Sequence, residues 1–151
     1  MANTQAMCTS FKGELLTATH NFGVAPTRGA STADTFKAAL YLASATVDAA
    51  TTAYTTTGEV SGTNYSPGGV TVTNATPPTT GGTTGYWTPS ASIVYTNVTL
   101  TTAFDCVLIY NSTQSNKSVS VHTFGSQTIT AGTFTLTMPA NTSTTALIRL
   151  A

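Results

Sequence analysis

This chain is expected to be mainly β: an antiparallel β-sandwich or jelly-roll-like barrel with one short N-terminal helix. Three observations lead there. Roughly a quarter of the 151 residues are threonine, and its β-branched stem favours extended backbone. From residue 91 onward short runs alternate apolar and polar side chains, the pattern of strands with one buried face. Turn-forming residues separate those runs at the spacing of a sandwich or barrel. The length suits one domain, 1–151, with residues 1–34 as the helix and an arm, large enough to bury a core without disulfide staples.

Residues 8–20 carry the helical pattern. Thr9 or Ser10 can cap it, Phe11, Leu15 and Leu16 share a face, and Gly23 and Pro26 end the periodicity. A helix this short is unstable alone, so its Phe11 and Leu15 stripe must dock on a sheet or a partner. At 35–42, Phe36, Ala38, Leu40 and Leu42 alternate with Lys37, Ala39 and Tyr41, which predicts a half-buried strand. Residues 48–62 read as a connection with room for a helical turn. Asn64-Tyr65-Ser66-Pro67-Gly68-Gly69 is turn chemistry, with a strand due at 70–73. Pro77-Pro78 and Gly81-Gly82 make 74–85 a surface loop. Strands are then expected at 91–100, 104–110, 118–124, 127–131, 133–138 and 146–150, with turns at 111–116, 125–126, 131–132 and 139–143 between them. Within 133–138, Phe134, Leu136 and Met138 face inward and Thr133, Thr135 and Thr137 outward. No internal repeat is evident.

Charge is scarce. Only 7% of residues are charged and the net charge is +0, against about 25% charged in an ordinary domain. A small monomer normally keeps its net charge away from zero and places lysines on its edge strands. This chain does neither, and so reads as a component of an assembly. Its cations, Lys12, Arg28, Lys37, Lys117 and Arg149, are scattered, whereas phosphate binding needs them clustered. Nucleic acid is therefore not expected as a direct partner. No run approaches the length of a membrane span, and Met1 to Thr19 lacks a cationic stretch followed by an apolar one. Synthesis in a cytoplasm is expected. There, Cys8 and Cys106 stay reduced, and the apolar neighbours of Cys106 mark it as a buried free thiol.

The residues support enzymatic chemistry least of all. Glu14, Asp34, Asp48, Glu59 and Asp105 are the carboxylates, and no two are spaced to meet on one element. His20 and His122 are too far apart for a zinc site, and His122 is expected to make a polar contact from a strand. A Ser, His122, Asp105 set can be written down but lacks a nucleophile elbow, and no glycine loop with lysine cradles a phosphate. No catalytic, cofactor-binding or metal residue is assigned. The Asn-x-Ser/Thr triplets at Asn64, Asn74, Asn97, Asn111, Asn116 and Asn141 follow from composition. Tyr86 and Trp87 offer a platform for a sugar ring, although a lone Trp after a glycine-rich loop more often plugs a core. Burial of Trp87 is the discriminating observation.

The segments Phe11-Lys12-Gly13-Glu14-Leu15-Leu16, His20-Asn21-Phe22, Asp34-Thr35-Phe36-Lys37-Ala38-Ala39-Leu40-Tyr41 and Tyr54-Thr55-Thr56-Thr57-Gly58-Glu59-Val60 carry a resemblance. So do Gly62, Tyr65, Gly68 and Gly69, and Leu108-Ile109-Tyr110-Asn111 onward to the last strand. Together they resemble the small Thr-rich virion structural proteins of tailed bacteriophages, which are head decoration or tail-associated proteins. The resemblance implies a virion location and no catalytic residues. It implies partners among virion proteins, the major capsid protein first, and a homo-oligomer, trimer or dimer. A capsid decoration, or cement, protein is the first expectation. A tail or head-to-tail connector component is the second, and a carbohydrate-binding module for host attachment the third.

Overall fold

The computed structural model describes residues 3–16, 19–22 and 33–151. In chain order its elements are β1 (Ala6–Met7), α1 (Thr9–Leu16), β2 (Phe36–Leu42), β3 (Val70–Thr71), β4 (Thr79–Gly81), β5 (Thr84–Trp87), β6 (Ile93–Asn111), β7 (Lys117–Leu136) and β8 (Ile148–Leu150). They form two antiparallel sheets, ordered β1-β7-β6-β2-β3 and β4-β5-β8, with one short helix. The mainly β, sandwich-like expectation holds. Among the described residues no helix is long and apolar enough to cross a membrane.

The long β6–β7 hairpin organises the molecule. Its turn at 112–116 stands where the asparagines predict it, with Ser115 and Asn116 at positive φ (52° and 59°). The expected breaks at 101–103, 125–126 and 131–132 are not turns, because both strands run through them. Leu100 pairs with Ile129 and Phe104 with Gln127, so Thr101, Thr102 and Ala103 bulge opposite Thr128. Nearby, Thr99 opposes Thr130 and Ala131, with Ala131 at φ 45° and its N–H donated to Thr99 Oγ1 at 3.0 Å. Bulges absorb the irregular residues without ending the ladder, and they bend it. The distal half therefore folds back over the proximal half. Phe134 stands edge-on to Phe104 at 5.2 Å, and the Tyr95 hydroxyl donates to the Ala38 carbonyl at 2.8 Å. A strand bent at a bulged corner can present side chains to both sides of a packed core. Along 133–138 the alternation is as read, although Phe134, Leu136 and Met138 are half-buried rather than fully enclosed.

Further expectations are corrected. Ala39 and Tyr41, read as the outward face of β2, are 0% and 1% exposed. β2 is an interior strand, and the connection after it crosses its second face, where Tyr41 Oη meets the Thr55 carbonyl. That connection, 48–62, contains no helical turn; the bridges Tyr41–Glu59 and Ala53–Lys117 hold it instead. The supposed loop at 74–85 contains the β4–β5 hairpin, turning at Gly82-Thr83 with Gly82 at φ 61°. The helix is also shorter than read. Gly23 and Pro26, expected to end it, lie outside the described residues, as does the side chain of Leu16. Ser10, a candidate cap, sits inside α1 with a buried hydroxyl that finds no hydrogen-bond partner.

Aromatic packing joins helix and sheets. Phe22 stacks on Phe36 of β2 at 4.4 Å, meets Trp87 of β5 edge-on at 4.8 Å, and meets Phe11 of α1 at 5.9 Å. The expected stripe does dock: Phe11 is 1% exposed and Leu15 half-buried. These four rings bury the apolar faces of elements that are individually too short to persist.

Candidate functional site

The groups best placed for chemistry are the carboxylates and histidines, so the partners of each decide what remains free to react. Asn111, 0% exposed, is the hub of the first cluster. Its Oδ1 accepts the N–H groups of Thr113 and Gln114, each at 3.1 Å, which fixes the amide orientation. Its Nδ2 therefore donates, to Asp34 Oδ2 at 2.7 Å and to His20 Nδ1 at 3.1 Å. His20 is left with Nε2–H, which donates to Glu14 Oε2 at 2.6 Å, while Lys117 Nζ reaches Glu14 Oε1 at 2.6 Å. Burial pushes the Glu14 carboxyl up, but the hydrogen bonds from Lys117 and His20 outweigh it and hold the group below its ordinary value. Asp34 also accepts from Asn21 N–H and the Gln114 amide. The cluster ties α1 and residues 19–22 to the turn of the long hairpin.

A second cluster surrounds Glu59. Its Oε1 accepts from Tyr65 Oη at 2.8 Å and Gly68 N–H at 2.7 Å, and its Oε2 from Tyr54 Oη at 2.7 Å. Tyr110 Oη in turn donates to the Gly68 carbonyl at 2.8 Å. Gly69, at φ 69°, lies so close to β2 that a Cβ would sit 1.7 Å from the Ala38 carbonyl oxygen. Only glycine fits there. The motif residues Tyr54, Glu59, Tyr65, Gly68 and Gly69 thus converge on one clamp that closes the edge of β2. Asp48 accepts from Ala50 N–H at 2.8 Å, and Asp105 from the Asn3 amide. Glu14, Asp34, Glu59 and Asp105 thus hold chain segments together, while Asp48 closes a local turn.

The Ser, His122, Asp105 set is half assembled. Ser120 Oγ and His122 Nε2 are 2.9 Å apart, neighbours on one face of β7 because two residues along a strand share a face. The Ser-x-His spacing at 120–122 is the sequence signal for this pairing. His122 does make the polar contact expected of it. Burial pushes its pKa down to about 4, with no carboxylate acting against it, and Asp105 is occupied by Asn3. Ser120 is 2% exposed. Among the described residues no group of three His, Cys, Asp or Glu is arranged to hold a metal ion. Cys8 and Cys106 are buried free thiols; burial, with Asp105 nearby, pushes Cys106 up to about 12.

Two clefts remain. One, of about 230 Å³, is apolar and lined by Phe11, Leu15, Phe22, Tyr86, Trp87 and Leu150. Trp87 contributes from within, being 2% exposed, and its indole N–H is used at 2.9 Å by Asn74 Oδ1 and at 3.2 Å by the Thr76 carbonyl. Trp87 therefore plugs the core, while Tyr86 is half-buried at the rim. The other cleft, of about 610 Å³, is polar, with His122 and Arg149 among its walls.

No protein-family model matches the chain. No curated protein matches it, and no solved structure does either.

Proposed function

We propose that this chain is a structural protein of a tailed-bacteriophage virion, a capsid decoration or cement protein that binds the outside of the shell and bridges neighbouring major capsid proteins. The observation that carries this reading is the division of its polar groups. Four of the five carboxylates are used in internal clamps and the fifth, Asp48, in a local turn, and the outer face of the long hairpin is left to exposed threonines such as Thr96, Thr133 and Thr135. Such a surface meets a shell, or identical copies packed over one, without charge repulsion. Many weak contacts then act together.

A glycan-binding module is less well supported, because the Trp87 indole faces the core and its N–H is already bonded. The Ser120–His122 pair supports an enzyme no better, since no carboxylate backs it and the hydroxyl is enclosed. The test is cryo-electron microscopy of the intact particle. Density for this chain repeated over capsid subunits supports cement, whereas a single ring on the tail axis would make it a connector or tail component. Attachment through apolar and main-chain contacts should also survive roughly molar salt, where screening over about 3 Å removes only charge-charge terms.

A further inference from the structure

β7 is paired with β6 along its length, but its opposite edge is matched only at its start, where Ala53 bridges Lys117, Ser118 N–H donates to the Thr52 carbonyl, the Val119 carbonyl accepts from Cys8 N–H, and Met7 and Ala6 pair with Ser120 and Val121. From Thr123 to Leu136 that edge has no partner strand among the described residues. Long open edges are normally guarded by lysine, proline or inward charges. Here, from Ser118 to Met138, the chain contains no Lys, Arg, Asp, Glu or Pro. The one titratable group in that stretch, His122, is held neutral by burial. Thr128, Thr130, Thr133 and Thr135 are exposed along it, and the bulges at Phe124–Ser126 and Thr130–Ala131, the one edge guard it keeps, leave Gly132–Leu136 as its longest regular stretch.

We propose that this edge of β7 pairs antiparallel with the same edge of a second copy about a twofold axis, extending the larger sheet across a homodimer. Self-pairing about a twofold is necessarily antiparallel. It sets threonine rows against threonine rows, a favourable cross-strand combination, and brings no like charges together. A second copy is the occupant because an identical edge supplies the same unpaired main-chain groups and the same absence of charge. The pairing goes beyond the virion reading and can be tested in the purified protein. A monomer that still decorates particles would overturn the pairing alone, and a dimer that binds no particle would overturn the cement reading alone.

The experiment is sedimentation equilibrium of the full chain and of the double variant Thr133→Lys with Thr135→Lys, with circular dichroism to verify folding. Both positions are exposed, so the core is untouched. A wild-type dimer whose dissociation constant rises by about tenfold or more in the variant is expected. Single cysteines at 128, 130, 133 and 135 give an independent reading, since Cys8 and Cys106 are buried. One or more of them should form an intermolecular disulfide, and Thr71→Cys on β3 should not. A wild-type monomer overturns the proposal. So does a trimer, whose axis cannot pair a strand with itself, and so does a dimer that neither lysines nor β7 cysteines report.

Discussion

Raising the pH should unfold this protein steeply, and the size of the effect follows from its tyrosines. Tyr41, Tyr65 and Tyr95 are 1%, 8% and 2% exposed. Burial raises the pKa of all three well above the ordinary tyrosine value, and for Tyr65 the hydrogen bond donated to Glu59 adds to it. Above pH ~10 the unfolded chain releases these protons while the folded chain keeps them. Stability is thus complete below that pH and lost as pH rises. Each such tyrosine costs about 1.4 kcal/mol per pH unit, so three remove about 8 kcal/mol by roughly pH 12. That is comparable with the whole stability of a domain, about 5–15 kcal/mol. Tyr110, pushed up to about 12 by burial and Glu59, steepens the loss. The assay is urea unfolding followed by fluorescence of Trp87, the single tryptophan, across that pH range, with phenolate absorbance read in parallel. Absorbance rising for all the tyrosines near pH 10 while Trp87 fluorescence stays native would refute the reasoning.

On the acid side, His122 titrates at about 4 when folded because burial disfavours its charge. Stability should be complete above pH ~6.5 and fall by up to about 3 kcal/mol as pH drops to about 4; His122→Gln should flatten this part of the urea-midpoint profile. Gly69→Ala places a Cβ 1.7 Å from the Ala38 oxygen at φ 69°. It should cost more than about 4 kcal/mol, whereas Gly82→Ala, with nothing within 4 Å, should cost only about 1–2 kcal/mol of left-handed backbone; equal losses in thermal melts would show the contact to be wrongly placed. Asn111→Ala strips partners from Asp34, His20 and the hairpin turn. A loss of about 2–4 kcal/mol, with faster amide exchange in α1, is expected, and unchanged exchange there would contradict its role as a hub.

Of the candidate site, the individual residues were legible but their meeting was not. Nothing local in the sequence says why Tyr54, Glu59, Tyr65, Gly68 and Gly69 belong together. The reason is spatial: one carboxylate is shared by two phenols and a glycine N–H. Asp34 and Asn111 are far apart in sequence, and only the packing of the residues before β2 against the hairpin turn brings them to 2.7 Å. The Ser120–His122 contact was the exception, being local to one strand.

By itself the sequence determined the β class, the alternation along 133–138, the turn after Asn111, the docked stripe on α1, and the buried Cys106 thiol and Trp87. Each depends on side-chain periodicity, turn chemistry or hydrophobicity over a few neighbouring residues. Tertiary structure alone decided that the breaks at 101–103, 125–126 and 131–132 are bulges, that Ala39 and Tyr41 lie inside, and that Glu14, Asp34, Glu59 and Asp105 close clamps. A glycine or a threonine pair reads alike in a turn and a bulge, and an alternating strand reads alike whether its second face meets water or chain. What lies opposite in space makes the difference, and for these residues it comes from segments distant in sequence.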